Sequence, residues 1–167
     1  MNHHRQTTVP SAPNPSRAPR CIAAALALTL VFALPLPAAA QDFRLPGLSG
    51  GQLTDADLAQ GATIVVVWAS WSPRCRDIVE RVNAIQGRWG SRARVVTVDF
   101  QEDRGAVQSF LSGKNLSVPV YLDGDGAFSK KHAVTTLPGL LVIQDGNVAY
   151  RGKLPDDANR VLSEILG

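Results

Sequence analysis

The sequence is short of sulfur. Its 167 residues hold two cysteines, Cys21 and Cys75, and one methionine, Met1. Cys21 opens an apolar run over residues 21–36, so only Cys75 falls among the segments that read as a folded domain. One cysteine excludes an intramolecular disulfide there, and an apolar core has to supply the stability instead. Histidine is as scarce. His3 and His4 stand near the start and His132 is isolated, which gives no metal-ligand cluster and implies no cofactor. No G-x-x-x-x-G-K-[ST] segment occurs, so there is no phosphate loop, and Leu48-Ser49-Gly50-Gly51-Gln52 reads as a glycine turn. Asp123-Gly124-Asp125-Gly126 also reads as a turn, because Val134 stands where a calcium loop would carry its bidentate glutamate. Asn115-Leu116-Ser117 is a glycosylation sequon only in a host that glycosylates it.

Charge of one sign is missing too. The formal net charge is +3. Arg5, Arg17 and Arg20 are the only charged residues in 1–40, so the rest of the chain carries fourteen residues of each sign. No basic excess remains to neutralise phosphates, which excludes nucleic acid as a partner on charge grounds. The arginines precede the apolar run, and Ala38-Ala39-Ala40 follows it. A basic segment, a short apolar stretch and a small-residue cleavage site predict a secretory signal peptide over 1–40 and a domain over 41–167. The alternative is an uncleaved anchor. The run falls short of the ~20 residues of a membrane span, and Pro35 and Pro37 interrupt its end.

Beyond residue 41 the chain alternates strand and helix signals. Residues 42–45 and the piece after Gly50-Gly51 read as short extended segments. Thr54, with Asp57 three residues on, reads as the cap of a short helical turn through Ala59. Residues 63–68 are nearly all apolar, as expected of a strand buried on both faces. Ile78, Val82, Ile85 and Trp89 repeat at helical spacing. Residues 94–100 form a second strong strand and 103–111 a helix. Residues 117–122 form a third strand, which Pro119 demotes toward an edge. A short helix over 127–132 follows. Strands over 139–143 and 147–151 are joined through Asp145-Gly146 as a hairpin, and a helix over 156–166 closes the chain. The sum is an α/β fold, a mixed central sheet flanked by helices.

Between the strand at 63–68 and the helix at 78–89 lies Trp68-Ala69-Ser70-Trp71-Ser72-Pro73-Arg74-Cys75-Arg76. Ser72 suits an N-cap and Pro73 the first helical position, which places Cys75 in a helix's first turn. The macrodipole there, with Arg74 and Arg76 alongside, favours a thiolate. The stretch resembles the active-site segment of thioredoxin-fold proteins, in particular the TlpA/ResA-like periplasmic thiol–disulfide oxidoreductases, whose motif is W-C-x-x-C. Trp71 matches the tryptophan before the first cysteine, Ser72 stands at the first cysteine position, and Cys75 matches the second. Pro138, after Thr135-Thr136-Leu137, matches the cis-proline that faces the active site in that fold. The segment from Asp99 to Pro138 is longer than a plain thioredoxin needs, and resembles the TlpA-like insertion before the cis-proline strand. Val66 stands where the family often carries a buried acid.

The resemblance implies thiol-redox work on exported proteins, in the periplasm or outside the cell, with no membrane contact once the leader is removed. The residues restrict that chemistry. Two sulfurs are needed to attack a client disulfide and then release the client, and a serine forms no disulfide. No autonomous dithiol reductase activity is expected, and Ser72 is read as a helix cap. Two readings stand for Cys75: a reactive thiol that forms a mixed disulfide with a partner, or an inert core thiol. In the second the protein is a redox-silent module holding an extended peptide in a groove of Trp71, Pro73, Leu137 and Pro138.

Overall fold

The computed structural model describes residues 42–167. The signal peptide expected over 1–40 lies outside the described residues. So does Gln41.

Thr63 to Trp68 are all fully buried, and their alternation divides the interior in two. Ile64, Val66 and Trp68 point to one side of β3 (Ala62–Trp68), while Val65 and Val67 point to the other. A strand with no polar face has to be covered twice. It therefore sits in the middle of a five-stranded sheet. β4 (Arg94–Phe100) runs parallel on one side, and beyond it lies parallel β5 (Val120–Asp123). On the other side β6 (Gly139–Gln144) pairs antiparallel with β3, and β7 (Asn147–Lys153) pairs antiparallel with β6. The spatial order is β5-β4-β3-β6-β7.

One face of the sheet is covered by α2 (Ile78–Trp89), α3 (Arg104–Leu111) and α5 (Ala158–Leu166). Ile78, Val82, Ile85 and Trp89 form the buried stripe of α2, as their spacing predicts, with Val79 added. The other face is covered by a small hairpin of β1 (Arg44–Pro46) and β2 (Gln52–Thr54), by α1 (Asp55–Leu58), and by α4 (Ala127–Lys131). Thr54 and Asp57 close the expected capping box at the start of α1. Leu58, Leu53, Phe43 and Phe128 fill the space beneath. His132 stacks into this cluster, 4.5 Å from the Phe128 ring, so it packs as an aromatic.

Several boundaries differ from the sequence expectation, each for a local reason. β1 begins at Arg44, two residues late, where pairing with Thr54 starts. The edge strand begins at Val120 because Pro119 has no N–H. Its carbonyl still accepts from the amide of Thr97. α5 begins at Ala158, behind Pro155 and with Asp157 as its cap. The β6–β7 hairpin turns as expected. Asp145 and Gly146 both take positive φ, 48° and 80°, as a tight two-residue turn requires.

The β4–α3 and β5–α4 junctions position the site. Asp123 is completely buried at the end of β5, and its carboxylate accepts from the amides of Phe128 and Ser129 at 3.0 and 2.9 Å. That contact fixes the start of α4 against the sheet. Asp123→Ala leaves both amides without their acceptor and is expected to cost about 1–3 kcal/mol in a urea unfolding experiment. Asp123→Asn is expected to recover part of that loss.

Candidate functional site

The chain leaves β3 at Trp68 and turns through Ser70 and Trp71. The amide of Ser72 donates to the carbonyl of Ala69, and the amide of Cys75 donates to the carbonyl of Ser72 at 2.9 Å. The second bond closes a 3₁₀ turn over Pro73–Cys75, with Ser72 in the cap position. The Ser72 hydroxyl makes no capping hydrogen bond, and α2 proper starts at Ile78 with Asp77 as its N-cap. Two expectations are thereby corrected. Ser72 does not cap through its side chain, and Cys75 precedes the first turn of α2. Pro73 sets the tight turn by entering it without an N–H, and the helix restarts only after Arg76.

This turn buries the two residues at the motif's cysteine positions and exposes the rest. Cys75 has no exposed surface and belongs to the core cluster that includes Ile64, Val66, Trp68, Ile78 and Val79. Ser72 is 7% exposed and Trp71 60%. Trp71, Ser72, Pro73 and Arg74 form one wall of an open cavity of about 550 Å³. The facing wall comes from residues 134–137, and Phe100 and Ser129 complete the lining. The Leu137–Pro138 peptide bond is cis. Of the residues singled out in the sequence, Trp71, Ser72, Pro73 and Leu137 therefore meet in one cavity. Cys75 and Pro138 lie buried beside it, outside its lining.

Sequence reasoning missed half of this lining and the site's acid. Ser129 comes from α4 and Phe100 from the end of β4, and neither carries a recognisable motif. Val66 is the apolar residue it was read to be, yet a buried carboxyl stands close by on the next strand. Asp99 pairs in register with Trp68, and it shares its side of β4 with Val95. It is completely buried, and neither carboxyl oxygen meets an N–H or O–H donor among the described residues. Burial first, then the adjoining Glu102 side chain, then the charge of Asp123, push its pKa up to about 8. The available signal was an aspartate near the end of a valine-rich strand.

Glu102 in turn reaches the active-site turn. One of its carboxylate oxygens accepts from the Ser70 amide and the other from the Ser70 hydroxyl. No group of histidine, cysteine and acidic side chains suited to a metal occurs among the described residues. No helix there is long and apolar enough to cross a membrane.

A five-stranded mixed sheet, three helices on one face, and a Trp-x-x-x-Cys turn opposite a cis-proline define a thioredoxin fold. The chain belongs to the Redoxin family, whose model matches residues 37–166. It is similar to the thiol:disulfide interchange protein DsbE of Escherichia coli, at 35% identity over 131 residues, covering 74% of this chain and 68% of that protein. It is also similar to the soluble secreted antigen MPT53 of Mycobacterium bovis, at 26% identity over 136 residues, covering 77% and 78%. Among solved structures, a thiol:disulfide interchange protein DsbE from Chlorobium tepidum superposes with a TM-score of 0.65 at 27% identity, covering 76% of this chain and 92% of that one.

The raised pKa of Asp99 makes stability depend on pH in a stated direction. Between its unfolded value near 3.8 and about 8, the folded chain holds a proton on Asp99 that the unfolded chain does not. The contribution of this group therefore falls as pH rises through that window. The urea midpoint of Asp99→Asn is expected to decline less than that of the wild-type protein from mildly acidic to mildly alkaline pH.

Proposed function

We propose that this protein works in thiol–disulfide exchange with exported proteins, in the periplasm or outside the cell, through a single thiol. The carrying observation is that Cys75 ends the turn whose preceding residues, Trp71 to Arg74, wall an open, largely apolar cavity. An extended client segment laid between Trp71 and residues 134–137 brings its sulfur above Cys75. The Cys75 thiolate then attacks one sulfur of a client disulfide. A bond forms between Cys75 and that sulfur, and the client's other sulfur leaves as a thiolate. Nothing is reduced overall at this point. Release needs a second thiol from a separate dithiol protein, because Ser72 has no sulfur with which to resolve the bond. Family membership and similarity to a thiol:disulfide interchange protein support the chemistry. The leader expected over 1–40 and a relative named as secreted support the location.

The complete burial of Cys75 favours a second reading, in which the cavity holds a client peptide and no exchange follows. Labelling the native protein with iodoacetamide separates the two. Slow but complete labelling without denaturant supports exchange. Labelling only in denaturant supports binding alone. In either case the wild-type protein is expected to reduce no insulin catalytically, and Ser72→Cys is expected to gain that activity by supplying the second sulfur. Trp71→Ala, which strips a large exposed ring from the cavity wall, is expected to weaken binding of an extended cysteine-free peptide by about tenfold or more in fluorescence titration.

A further inference from the structure

We infer that Asp99 and Glu102 are positioning residues for the reaction at Cys75: together they form a latch that holds the active-site turn closed over the thiol while Asp99 is protonated and releases it when Asp99 ionises. The inference rests on the single-thiol reading above, and goes beyond it by saying what controls access to that thiol.

The geometry has three parts. The Cys75 sulfur is wholly covered, so any reaction needs the turn over it to move. That turn is anchored at its β3 end by Ser70, whose amide and hydroxyl both donate to Glu102, one to each oxygen. A carboxylate holding two donors of one residue is a directional clamp, and charge strengthens both bonds. The Glu102 side chain adjoins Asp99, which is fully buried and has no donor to either oxygen among the described residues. When protonated, Asp99 has the Glu102 carboxylate as its acceptor. The two side chains then carry one charge between them, and Glu102 is pinned from both sides.

Among the described residues no cation acts on Asp99 to neutralise a second charge. Asp123, from β5, is acidic and adds to the repulsion. Arg104, at the start of α3, is turned away to the carbonyls of Gly47 and Leu48. From β3 the neighbour in register is Trp68, whose indole N–H has no partner among the described residues. From the turn itself, Cys75 is the titratable group on the same side of the sheet. Loss of the Asp99 proton therefore puts two carboxylates against each other in a site of low dielectric. Glu102 is half-buried and Asp99 is not exposed at all, so Glu102 is the one that moves out to water, and Ser70 loses its anchor.

The test compares native-state labelling of Cys75 by iodoacetamide in the wild-type protein and in Asp99→Asn. Asparagine keeps a donor to Glu102 and cannot ionise. The thiol's own ionisation affects both proteins, so the ratio of their rates reports the latch. Opening linked to one proton changes about tenfold per pH unit in its window, so the wild-type to variant ratio is expected to rise by about tenfold or more between roughly pH 6 and pH 9. A flat ratio overturns the latch. So does a falling one, which is what the Asp99 charge would produce by acting on Cys75 only as a neighbouring anion. Glu102→Gln, which cannot accept from both Ser70 groups, is expected to label about tenfold faster than wild type already at the acidic end, and labelling at the wild-type rate would overturn the clamp. A measurement independent of any variant's folding is the Ser70 amide proton in a ¹⁵N-resolved pH titration. It is expected far downfield at acidic pH, moving upfield with a midpoint near the Asp99 value of about 8. An amide shift that does not titrate overturns the proposal, whatever the client chemistry proves to be.

Discussion

The register between β3 and β4 is the constraint on which the site depends. Six consecutive pairs, from Thr63 with Arg94 to Trp68 with Asp99, place the end of one strand beside the end of the other. Both strands then leave the sheet at the same edge. The active-site turn departs from Trp68, and the segment carrying Glu102 departs from Phe100. A slip of one residue would turn every side chain of β3 to the opposite face. It would take Trp68 out of the cluster that buries Cys75, and would misalign Ser70 with its acceptor. The double-sided core fixes this register, because both faces of β3 are apolar and each has its own set of partners.

What that arrangement achieves is a division of labour around one turn. The outward side, led by Trp71, is open and largely apolar, suited to an extended chain. The inward side holds a thiol under cover. Polar groups that would oppose such burial in a random sequence are here arranged in a line from Asp99 through Glu102 to Ser70. A buried carboxyl with no cation beside it costs stability when ionised. Its retention at the end of a core strand is therefore more readily understood through the turn it supports than through packing.

Much of this was legible in the chain before its structure. The all-apolar run at β3, the α2 stripe ending at Trp89, and the Asp145-Gly146 hairpin each carry a periodicity or turn chemistry that is local. Pro138 and Trp71 were legible by resemblance. The start of α2 was not, because Ser72 and Pro73 are as well suited to a 3₁₀ turn as to a helix start, and the choice is made by how the turn packs over Cys75. The acid was missed for a different reason. Val66 was inspected because the family's carboxyl sits on that strand, whereas Asp99 reaches the same side of the sheet from its neighbour. Ser129 and Phe100 could be placed only by tertiary contacts, since nothing in a short helix or a strand end announces which cavity it will border.

The small hairpin at the start of the domain does more than cover one face of the sheet. Gly47 forms a bridge with Tyr121, and the Leu48 amide donates to the Val120 carbonyl, so the outer rim of β5 is already occupied in part by backbone from the same chain. The opposite rim belongs to β7, which is largely exposed and carries Arg151 and Lys153. One end of the sheet is stoppered and the other is ringed with positive charge, so two copies meeting edge to edge find no bare, neutral ladder on which to template a fibril.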